Sequence, residues 1–378
     1  VAATLGLILL TPWLLGWSWS FAFYKAMVFL VVASPCAIVS SVMPAMLSAM
    51  SKSARKGVLF KGAAHMDHLG SVRAVALDKT GTLTEGSPVV TGLYTVEGVD
   101  PREVLAASAA AESLSEHPLA QAIVRKAQAE GLPIDGAEAL RALPGWGIEA
   151  KVSGAMWRIG KADAGDSLLP GPLAKQLREW IAEGHTVSVI QRDGEYIGLI
   201  ALRDEVRPQA KAAIARLHEL GIAVAMLTGD RSVTAHALAK EIGVDLVYAD
   251  LLPQEKVAHV KALRERYGSV AMVGDGVNDA PALAAASVGI AMGGGGSGAA
   301  LDVADVVLMN DSIERIAETI SLARRARRIV KQNLAFAGAV ILMLIVSNFA
   351  ADIPLPFGVV GHEGSTLLVI LNGLRLLR

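Results

Sequence analysis

The sequence predicts an α/β fold in which a doubly wound parallel sheet is flanked by transmembrane helices. Short apolar strands that end at polar turns recur between residues 72 and 292, and long uncharged runs occur near both ends of the chain. Strand–turn–helix repetition is typical of parallel sheets, whose chemistry collects at the carboxyl ends of the strands. Between Ser87 and about Ile200 the pattern changes, which predicts an α+β domain inserted into the first.

The composition excludes several classes of protein. Hydrophobic residues make up 53% of the 378 residues and charged residues 19%, and the mean hydropathy is +0.45. These values argue against a disordered chain and against an ordinary soluble enzyme. The net charge of −1 gives no reason to expect nucleic acid as a partner. A single cysteine, Cys36, excludes an intrachain disulfide and a zinc site built from several thiolates.

The order of elements predicts the domain limits. Buried strands are expected at Val72–Leu77, Ala223–Leu227, Val270–Val273 and Val288–Met292, and a helix over 102–130. The predicted domains are two transmembrane helices in 1–51, a sheet domain in 52–86 and 201–330, the inserted domain in 87–200, and two transmembrane helices in 331–378.

Four apolar runs carry the membrane prediction, since about 20 apolar residues span a bilayer. Basic residues follow the second run, precede the third and follow the fourth, so the positive-inside rule places the middle of the chain in the cytoplasm. The chain begins inside an apolar run without Met and is therefore expected to be a fragment. The runs are 1–24, 26–51, 332–351 and the segment from Pro354 to Asn372.

The strongest chemical signal is Asp78–Thr84, with the sequence Asp-Lys-Thr-Gly-Thr-Leu-Thr, directly after a strand. A carboxylate on such a turn can attack a phosphoryl group and form an aspartyl phosphate, while backbone N–H groups hold the phosphate. An isolated Asp at a strand end would instead be an ordinary solvated residue.

Three later loops favour the catalytic interpretation. Thr228-Gly229-Asp230 offers a hydroxyl and N–H groups to phosphate oxygens, and Lys256 can place a cation on the transferring group. Gly274–Asp279 supplies carboxylates for Mg²⁺, which prefers oxygen ligands. The four loops therefore supply a nucleophile, a phosphate clamp, a neutralising charge and a metal site.

These residues resemble the haloacid dehalogenase superfamily, and Asp78–Thr84 with Gly274–Leu283 is similar to its P-type ATPase branch. The resemblance covers nearly all of the chain. It implies that ATP phosphorylates Asp78 and that Asp78, the Thr80 carbonyl and Asp275 bind Mg²⁺. It also implies that Asn278 and Asp279 support this Mg²⁺ site. The other predicted catalytic residues of these loops are Lys79, Thr228, Gly229, Asp230 and Lys256.

Thr80 predicts a long-lived intermediate. Soluble phosphatases of the superfamily carry a second Asp two residues after the nucleophile, as general acid and base. Thr80 occupies that position here and cannot take a proton from water. In P-type ATPases a Thr-Gly-Glu loop on an actuator domain activates water, and this chain contains no Thr-Gly-Glu. The expected partner is therefore the actuator domain of the same protein.

The inserted domain carries two short motifs, Ser115–Leu119 with the sequence Ser-Glu-His-Pro-Leu, and Gly145-Trp146-Gly147. Alone, His117 is more typical of a helix cap or a surface residue. Together the motifs resemble the nucleotide pocket of heavy-metal P-type ATPases, which implies that ATP lies against them. The residues implied to bind the nucleotide are Glu112, Glu116, His117, Gly145 and Gly147.

Two motifs in the apolar runs predict a path for a metal ion. Pro35, in Ser34-Pro35-Cys36, lacks an N–H and opens its helix, and broken helices are where transporters build ion sites. His362 and Glu363 interrupt the last run, where ionisable residues are by default functional. Thr366 is four residues after His362 and shares its helix face. The alternatives are a proline kink with a buried cysteine, and a loop position for His362 and Glu363.

The motifs also narrow the choice of the transported metal. Heavy-metal P-type ATPases carry a Cys/Pro/Cys-like motif here, and Ser34 replaces its first cysteine. Ser-Pro-Cys with His-Glu-Gly-Ser-Thr resembles the subgroup associated with cobalt and zinc. One thiolate with imidazole and carboxylate suits a borderline divalent ion and does not distinguish Co²⁺, Zn²⁺, Ni²⁺, Cd²⁺ and Fe²⁺. The resemblance ranks Co²⁺ and Zn²⁺ first.

The resulting hypothesis is a multi-pass protein of the bacterial plasma membrane, with cytoplasmic catalytic domains, that exports a divalent transition metal. The alternatives are a membrane-tethered phosphohydrolase, which Thr80 argues against, and a metal sensor without transport. Another P-type cargo, such as K⁺ or Ca²⁺, is disfavoured by Ser34-Pro35-Cys36 and His117-Pro118. Gly293–Gly296 is expected to form a flexible turn near the Mg²⁺ site.

Overall fold

The structure, a computed structural model, describes residues 2–115, 117–143, 145–162, 169–293, 298–350 and 353–377. Glu116 and residues 294–296 of the four-glycine segment therefore lie outside the described residues. The chain forms two compact units. One unit, called the helical unit below, comprises Val1–Val72 and Asp305–Arg378, and the other, called the sheet unit, is Arg73–Ala304.

The bounds of the helices and strands follow from the described residues. The α-helices are α1 (Ala2–Leu15), α2 (Trp19–Val32), α3 (Cys36–Arg55), α4 (Ala63–Gly70), α5 (Pro101–Glu112), α6 (Pro118–Ala129), α7 (Gly171–Ala182), α8 (Ala210–Glu219), α9 (Ser232–Ile242), α10 (Pro253–Tyr267), α11 (Ala280–Ala285), α12 (Gly298–Val303), α13 (Glu314–Ala350) and α14 (Leu355–Leu374). The strands are β1 (Val58–Phe60), β2 (Ala74–Asp78), β3 (Thr84–Thr95), β4 (Glu138–Leu143), β5 (Gly147–Val152), β6 (Ala155–Lys161), β7 (Thr186–Arg192), β8 (Glu195–Val206), β9 (Ala223–Leu227), β10 (Leu246–Tyr248), β11 (Val270–Gly274), β12 (Val288–Met292) and β13 (Val306–Leu308).

A parallel sheet with the order β12-β11-β2-β9-β10 organises the sheet unit. Strands β2, β11 and β12 are buried along their whole length, which explains their continuous apolar sequences. Asp78 pairs with Leu227, and Leu77 pairs with Val273, so the carboxyl ends of β2, β9 and β11 lie level with one another. The predicted α/β class is confirmed, and β9 and β12 have the predicted bounds.

A six-stranded antiparallel sheet, ordered β3-β8-β7-β6-β5-β4, forms the inserted part of the sheet unit. Helices α5 and α6 contribute Val104 and Ile123 to one apolar core of this sheet, and α7 contributes Leu173 to a second core. The predicted limits of the inserted domain, residues 87 and 200, fall within β3 and β8, which pair with each other.

The single helix expected over 102–130 is wrong, because the structure has two helices, α5 and α6. Pro118 lies at the first position of α6, and a proline disfavours helical geometry in the residue that precedes it. His117 is that residue and has extended backbone angles. The break places the motif around His117 on a turn.

Among the described residues of the helical unit, three helical segments are long and apolar enough to cross a membrane: Trp19–Arg55, Glu314–Ala350 and Leu355–Leu377. The expected helix boundary at Lys25 is wrong. The first break instead lies at residues 16–18, where Gly16 has a φ of +67° and the Ser18 hydroxyl caps α2. The described residues of the predicted first span, 1–24, form the shorter apolar helix Thr4–Leu15 and the beginning of α2.

Two predicted features of the membrane helices are found. A break at Ala33 and Pro35 separates α2 from α3, as the proline predicts. Helix α14 contains both His362 and Glu363, so the alternative that placed them on a loop is wrong. The Asn333 side chain joins the neighbouring helices, since its amide nitrogen donates to the Val369 carbonyl at 3.0 Å.

Candidate functional site

Three loops of the sheet unit meet around Asp78, the last residue of β2. The Lys256 ammonium donates to Asp78 Oδ1 at 2.6 Å and to Asp279 Oδ1 at 2.7 Å. Lys256 lies in the first turns of α10, and Asp279 lies in the turn after β11. All three side chains are buried. The predicted convergence of nucleophile, cation and acidic loop is therefore present in the structure.

The acidic residues form a group suited to a divalent cation. Ligand oxygens of Asp78, Asp275 and Asp279 all lie within 4.8 Å of one another, and no other such group of His, Cys, Asp or Glu occurs among the described residues. When all three carboxylates are ionised, the bonded Lys256 ammonium offsets one of their charges and two negative charges remain. Carboxylate oxygens in this number and charge fit Mg²⁺. The structure thus groups Asp279 with the carboxylates, whereas the sequence assigns it only a supporting role.

Burial and charge determine the protonation of this group. Burial, together with the neighbouring Asp279 carboxylate, raises the pKa of Asp78 to about 7, although Lys256 acts in the opposite direction. Burial lowers the pKa of Lys256, but the two carboxylates outweigh it and raise that pKa above its ordinary value. Lys256 is therefore a cation at neutral pH. A further cation beside Asp78 would favour the ionised, nucleophilic carboxylate.

The loop after Asp78 requires glycine at position 81. Gly81 has a φ of +71°, and a Cβ atom there would lie 1.7 Å from Asp275 Oδ2. Both the left-handed backbone and the missing side chain are therefore needed for the loop to approach the acidic group. Arg207 supports the same loop, since its guanidinium donates to the carbonyls of Gly81 at 3.0 Å and Thr82 at 3.1 Å.

A cavity of about 410 Å³ lies beside part of the predicted phosphate-binding loop. Lys79 and Asp230 line it and form an ion pair with each other. The Thr228 side chain is buried, and its hydroxyl accepts a hydrogen bond from the Asp230 N–H at 3.1 Å. The Thr228 N–H donates to the Tyr248 carbonyl. The hydroxyl and the N–H of Thr228, both predicted to bind phosphate, therefore have hydrogen-bond partners within the protein. The roles of Thr228, Gly229 and Asp230 in binding phosphate stay predictions. The supporting role of Asn278 at the Mg²⁺ site also stays a prediction, and Asn278 is exposed.

A second cavity, of about 490 Å³, lies in the inserted part of the sheet unit. Four of the five residues predicted to bind a nucleotide line it: Glu112, His117, Gly145 and Gly147. His117 also caps α6, since its Nδ1 accepts from the Leu119 N–H at 3.3 Å. The packing of the strands also requires glycine at position 147, because a Cβ atom there would lie 2.1 Å from the Ile159 carbonyl oxygen.

The predicted ligands of the transported ion form two small clusters in the membrane helices. Ser34 Oγ lies 3.1 Å from Cys36 Sγ at the break between α2 and α3. In α14, the Thr366 hydroxyl donates to the His362 carbonyl at 3.2 Å. His362 is buried, and neither ring nitrogen has a hydrogen-bond partner in the described part of the chain, whereas Glu363 is exposed. Within the described residues, Cys36, His362 and Glu363 do not form a group at ligand distance.

A family model for haloacid dehalogenase-like hydrolases matches residues 72–287, which hold the parallel sheet, the inserted part and the acidic group. The chain belongs to this family.

Among curated relatives of this haloacid dehalogenase-like chain, a "Zinc-transporting ATPase" of Bacillus subtilis is 50% identical over 380 residues, which is all of this chain and 60% of that protein. A "Probable cobalt/nickel-exporting P-type ATPase" of Mycolicibacterium smegmatis is 44% identical over 384 residues, or 58% of its length. The chain thus spans about three fifths of these relatives.

The solved structures that are similar to this chain include ATPases of the same kind as these relatives. A zinc-transporting PIB-type ATPase in the E2.Pi state has a TM-score of 0.86 and 41% identity, covering all of this chain and 62% of that one. The catalytic domain of the CPx-ATPase CopB-B has a TM-score of 0.60 and 30% identity, covering 72% of this chain and 98% of that one. The predicted resemblance to the heavy-metal P-type ATPase branch is confirmed.

Sequence reasoning missed two residues of this haloacid dehalogenase-like site, Asp204 and Arg207. The Thr84 hydroxyl donates to Asp204 Oδ2 at 2.5 Å, and Arg207 bonds to the loop carbonyls. Both residues lie at or just after the end of β8, where the chain returns from the inserted part. The signal that could have revealed them is a charged Arg-Asp-Glu-Val-Arg run directly after the buried part of a strand.

The Glu112→Gln variant is expected to be more stable than the wild type at pH 8. Burial raises the pKa of Glu112 from 4.5 to about 7, so the folded state loses stability relative to the unfolded chain as the pH rises from about 4.5 to about 7, and the loss is complete at pH 8. The neutral amide removes this destabilisation. The free energy of unfolding should therefore rise by at most about 3 kcal/mol at pH 8 and by less than about 1 kcal/mol at pH 5. Urea unfolding at both pH values measures it. Glu138→Gln, at an exposed position of β4, is the control, and an equal gain there would contradict the prediction.

Proposed function

We propose that the chain is the catalytic and carboxyl-terminal part of a P-type ATPase that uses ATP to export a divalent transition metal, Co²⁺ or Zn²⁺. The observation that carries the proposal is the contact of the Lys256 ammonium with Asp78 and Asp279, beside the third carboxylate of Asp275. The choice of cargo is supported by the two relatives, a zinc-transporting ATPase and a probable cobalt/nickel-exporting P-type ATPase.

In the proposed reaction, an Asp78 carboxylate oxygen attacks the γ-phosphorus of ATP. The new bond joins that oxygen to phosphorus, and the bond between the γ-phosphorus and the bridging oxygen breaks, so ADP leaves. Lys256 holds Asp78 in position and offsets charge on the transferring group. Mg²⁺, bound by Asp78, Asp275 and the Thr80 carbonyl, would neutralise phosphate charge. The nucleotide would lie in the cavity lined by Glu112, His117, Gly145 and Gly147.

Hydrolysis of the aspartyl phosphate needs a base that residue 80 does not supply. A threonine hydroxyl has no pKa near neutrality and cannot accept a proton from water. The phosphorylated state therefore persists until another group activates water, as the actuator domain does in the resemblance described above. A long-lived phosphorylated state suits a pump, because it allows time for the membrane helices to rearrange.

The cargo site is proposed at the break between α2 and α3 together with the middle of α14. Cys36 and Ser34 supply sulfur and oxygen at the break, and His362 supplies a buried imidazole without a protein partner among the described residues. Such a buried ring favours a ligand, since an unpartnered polar group in a membrane interior is costly. Glu363 and Thr366 would complete the ligands as the helices rearrange.

Metal-stimulated ATPase activity of the complete protein tests the proposal across Co²⁺, Zn²⁺, Cd²⁺, Ni²⁺ and Cu⁺. Stimulation by Co²⁺ or Zn²⁺ is expected, and Cys36→Ala and His362→Ala should each reduce it at least about tenfold, because a ligand is lost. His236→Ala, at an exposed position of the sheet unit, is the control.

Three outcomes would contradict the proposed cargo or activity. Unchanged stimulation in Cys36→Ala and His362→Ala would remove these residues from the metal path. Rapid hydrolysis of small phosphate esters without metal stimulation would favour a tethered phosphohydrolase. Metal binding with no effect on ATP turnover would favour a sensor.

A further inference from the structure

A separate cavity of about 260 Å³ lies between α3, β1 and α13, wholly within the helical unit. Its lining includes three cationic side chains, one carboxylate and hydroxyl groups. The residues that matter for its chemistry are Lys52, Ser53, Lys56, Glu318 and Arg325. None of them belongs to the catalytic loops or to the proposed cargo site.

The charge of this cavity favours an anion. Glu318 accepts hydrogen bonds from Lys56 at 3.0 Å and from Arg315 at 2.7 Å. These two cations offset the negative charge of the Glu318 carboxylate. Three cationic side chains and one carboxylate line the cavity, so the charges of its wall sum to a positive value.

A second observation is independent of the charge. Ser53 is only 2% exposed, lines the cavity, and its Oγ has no hydrogen-bond partner within the described residues. A buried hydroxyl without a partner is destabilising, and native structures usually give it one. A ligand oxygen in the cavity would accept this hydrogen bond. The site therefore offers a neutral donor among cations, which is the combination that phosphate groups use.

The cavity also lies where the membrane begins. Lys52 directly follows the uncharged run 26–51, and Arg325 lies seven residues before the start of the uncharged run 332–351. On a helix, seven residues correspond to about 10 Å. This places the cavity near the depth of lipid headgroups on the side of the membrane rich in basic residues.

We propose that this cavity binds the phosphate group of an anionic ligand, with Lys52 and Arg325 offsetting its charge and Ser53 donating a hydrogen bond. The same chemistry is offered by the phosphodiester of an anionic lipid headgroup and by free phosphate. The position near the membrane surface favours the lipid.

Binding to the complete protein in a neutral detergent tests this proposal, with no need for ATP or a transported metal. The probes are dioctanoyl phosphatidylglycerol, dioctanoyl phosphatidylcholine and inorganic phosphate, measured by calorimetry. Phosphatidylglycerol is expected to bind, and Lys52→Gln and Arg325→Gln should each weaken it about fivefold, or about 30-fold together. Ser53→Ala should weaken it about threefold.

Arg328→Gln is the matched control, since it removes the same charge from an exposed position of α13 outside the cavity. Less than a twofold change is expected there. Equal weakening by Arg328→Gln and Arg325→Gln would overturn the proposal, because it would show only a general basic surface. Binding of inorganic phosphate alone, sensitive to Lys52→Gln, would support the site with a soluble ligand. Unchanged affinity in the Lys52→Gln/Arg325→Gln double variant would also overturn it.

Discussion

The Asp78→Asn variant is expected to form no phosphoenzyme from ATP. The amide keeps the size of the side chain and still accepts a hydrogen bond from Lys256, but it cannot displace a phosphoryl group. Losing a nucleophile of this kind lowers the rate by on the order of 10⁴-fold or more. The measurement is acid-stable incorporation of the γ-phosphoryl group into the complete protein, followed by release with hydroxylamine, which cleaves acyl phosphates.

The control for this prediction is Asp135→Asn, at an exposed position of the inserted part, which should label like the wild type. Folding is checked separately. Because burial raises the pKa of Asp78, a neutral amide at this position should not destabilise the chain at pH 8. Asp78→Asn protein that is folded but still forms a hydroxylamine-sensitive phosphoenzyme would contradict the assignment of the nucleophile.

The parallel sheet could be predicted closely because its signal is local. A strand buried on both faces is a continuous apolar run, and β9 and β12 were predicted to the residue. The meeting of Asp78, Lys256 and Asp279 also followed from the sequence, since carboxyl ends of neighbouring parallel strands share one edge of the sheet.

Other features depend on contacts that no local pattern shows. Arg207 reaches the carbonyls of Gly81 and Thr82 across 125 or more residues of sequence, and only the folded chain brings them together. The sequence suggests that Gly147 leaves room for a nucleotide, but the atom that a side chain at this position would meet first is the Ile159 carbonyl oxygen of a neighbouring strand. A sequence reveals that a glycine is present, and the structure reveals which atom requires it.

The membrane helices show a similar limit. The uncharged runs predicted where the chain is apolar, but not that Lys25 lies buried inside α2, where its ammonium donates to the Asn348 carbonyl. Charge was therefore a poor marker of the helix boundary, because a lysine in a membrane helix can bond to a neighbouring helix. Likewise, the motifs of Cys36 and His362 identify candidate ligands, whereas their distance depends on the rotation and packing of whole helices.

The Gly81→Ala variant is expected to lose Mg²⁺-dependent phosphorylation by about 100-fold or more, because displacing reacting groups by about 1 Å has effects of that size. The added Cβ atom would lie 1.7 Å from Asp275 Oδ2, so the loop or the carboxylate must move. Either movement separates Asp275 from Asp78 and weakens the proposed metal site. The measurement is the initial rate of phosphoenzyme formation as a function of Mg²⁺ concentration.

Gly98→Ala separates this effect from backbone strain. Gly98 also has a left-handed φ, of +83°, but a Cβ atom there would meet nothing within 4 Å. Both variants therefore bear the unfavourable conformation of alanine, and only Gly81→Ala introduces the clash with Asp275. A higher Mg²⁺ requirement in Gly81→Ala alone would support the role of Asp275 in the metal site. If both variants phosphorylate at the same rate and with the same Mg²⁺ dependence, Asp275 does not need to approach the Asp78 loop, and its assignment as a ligand is wrong.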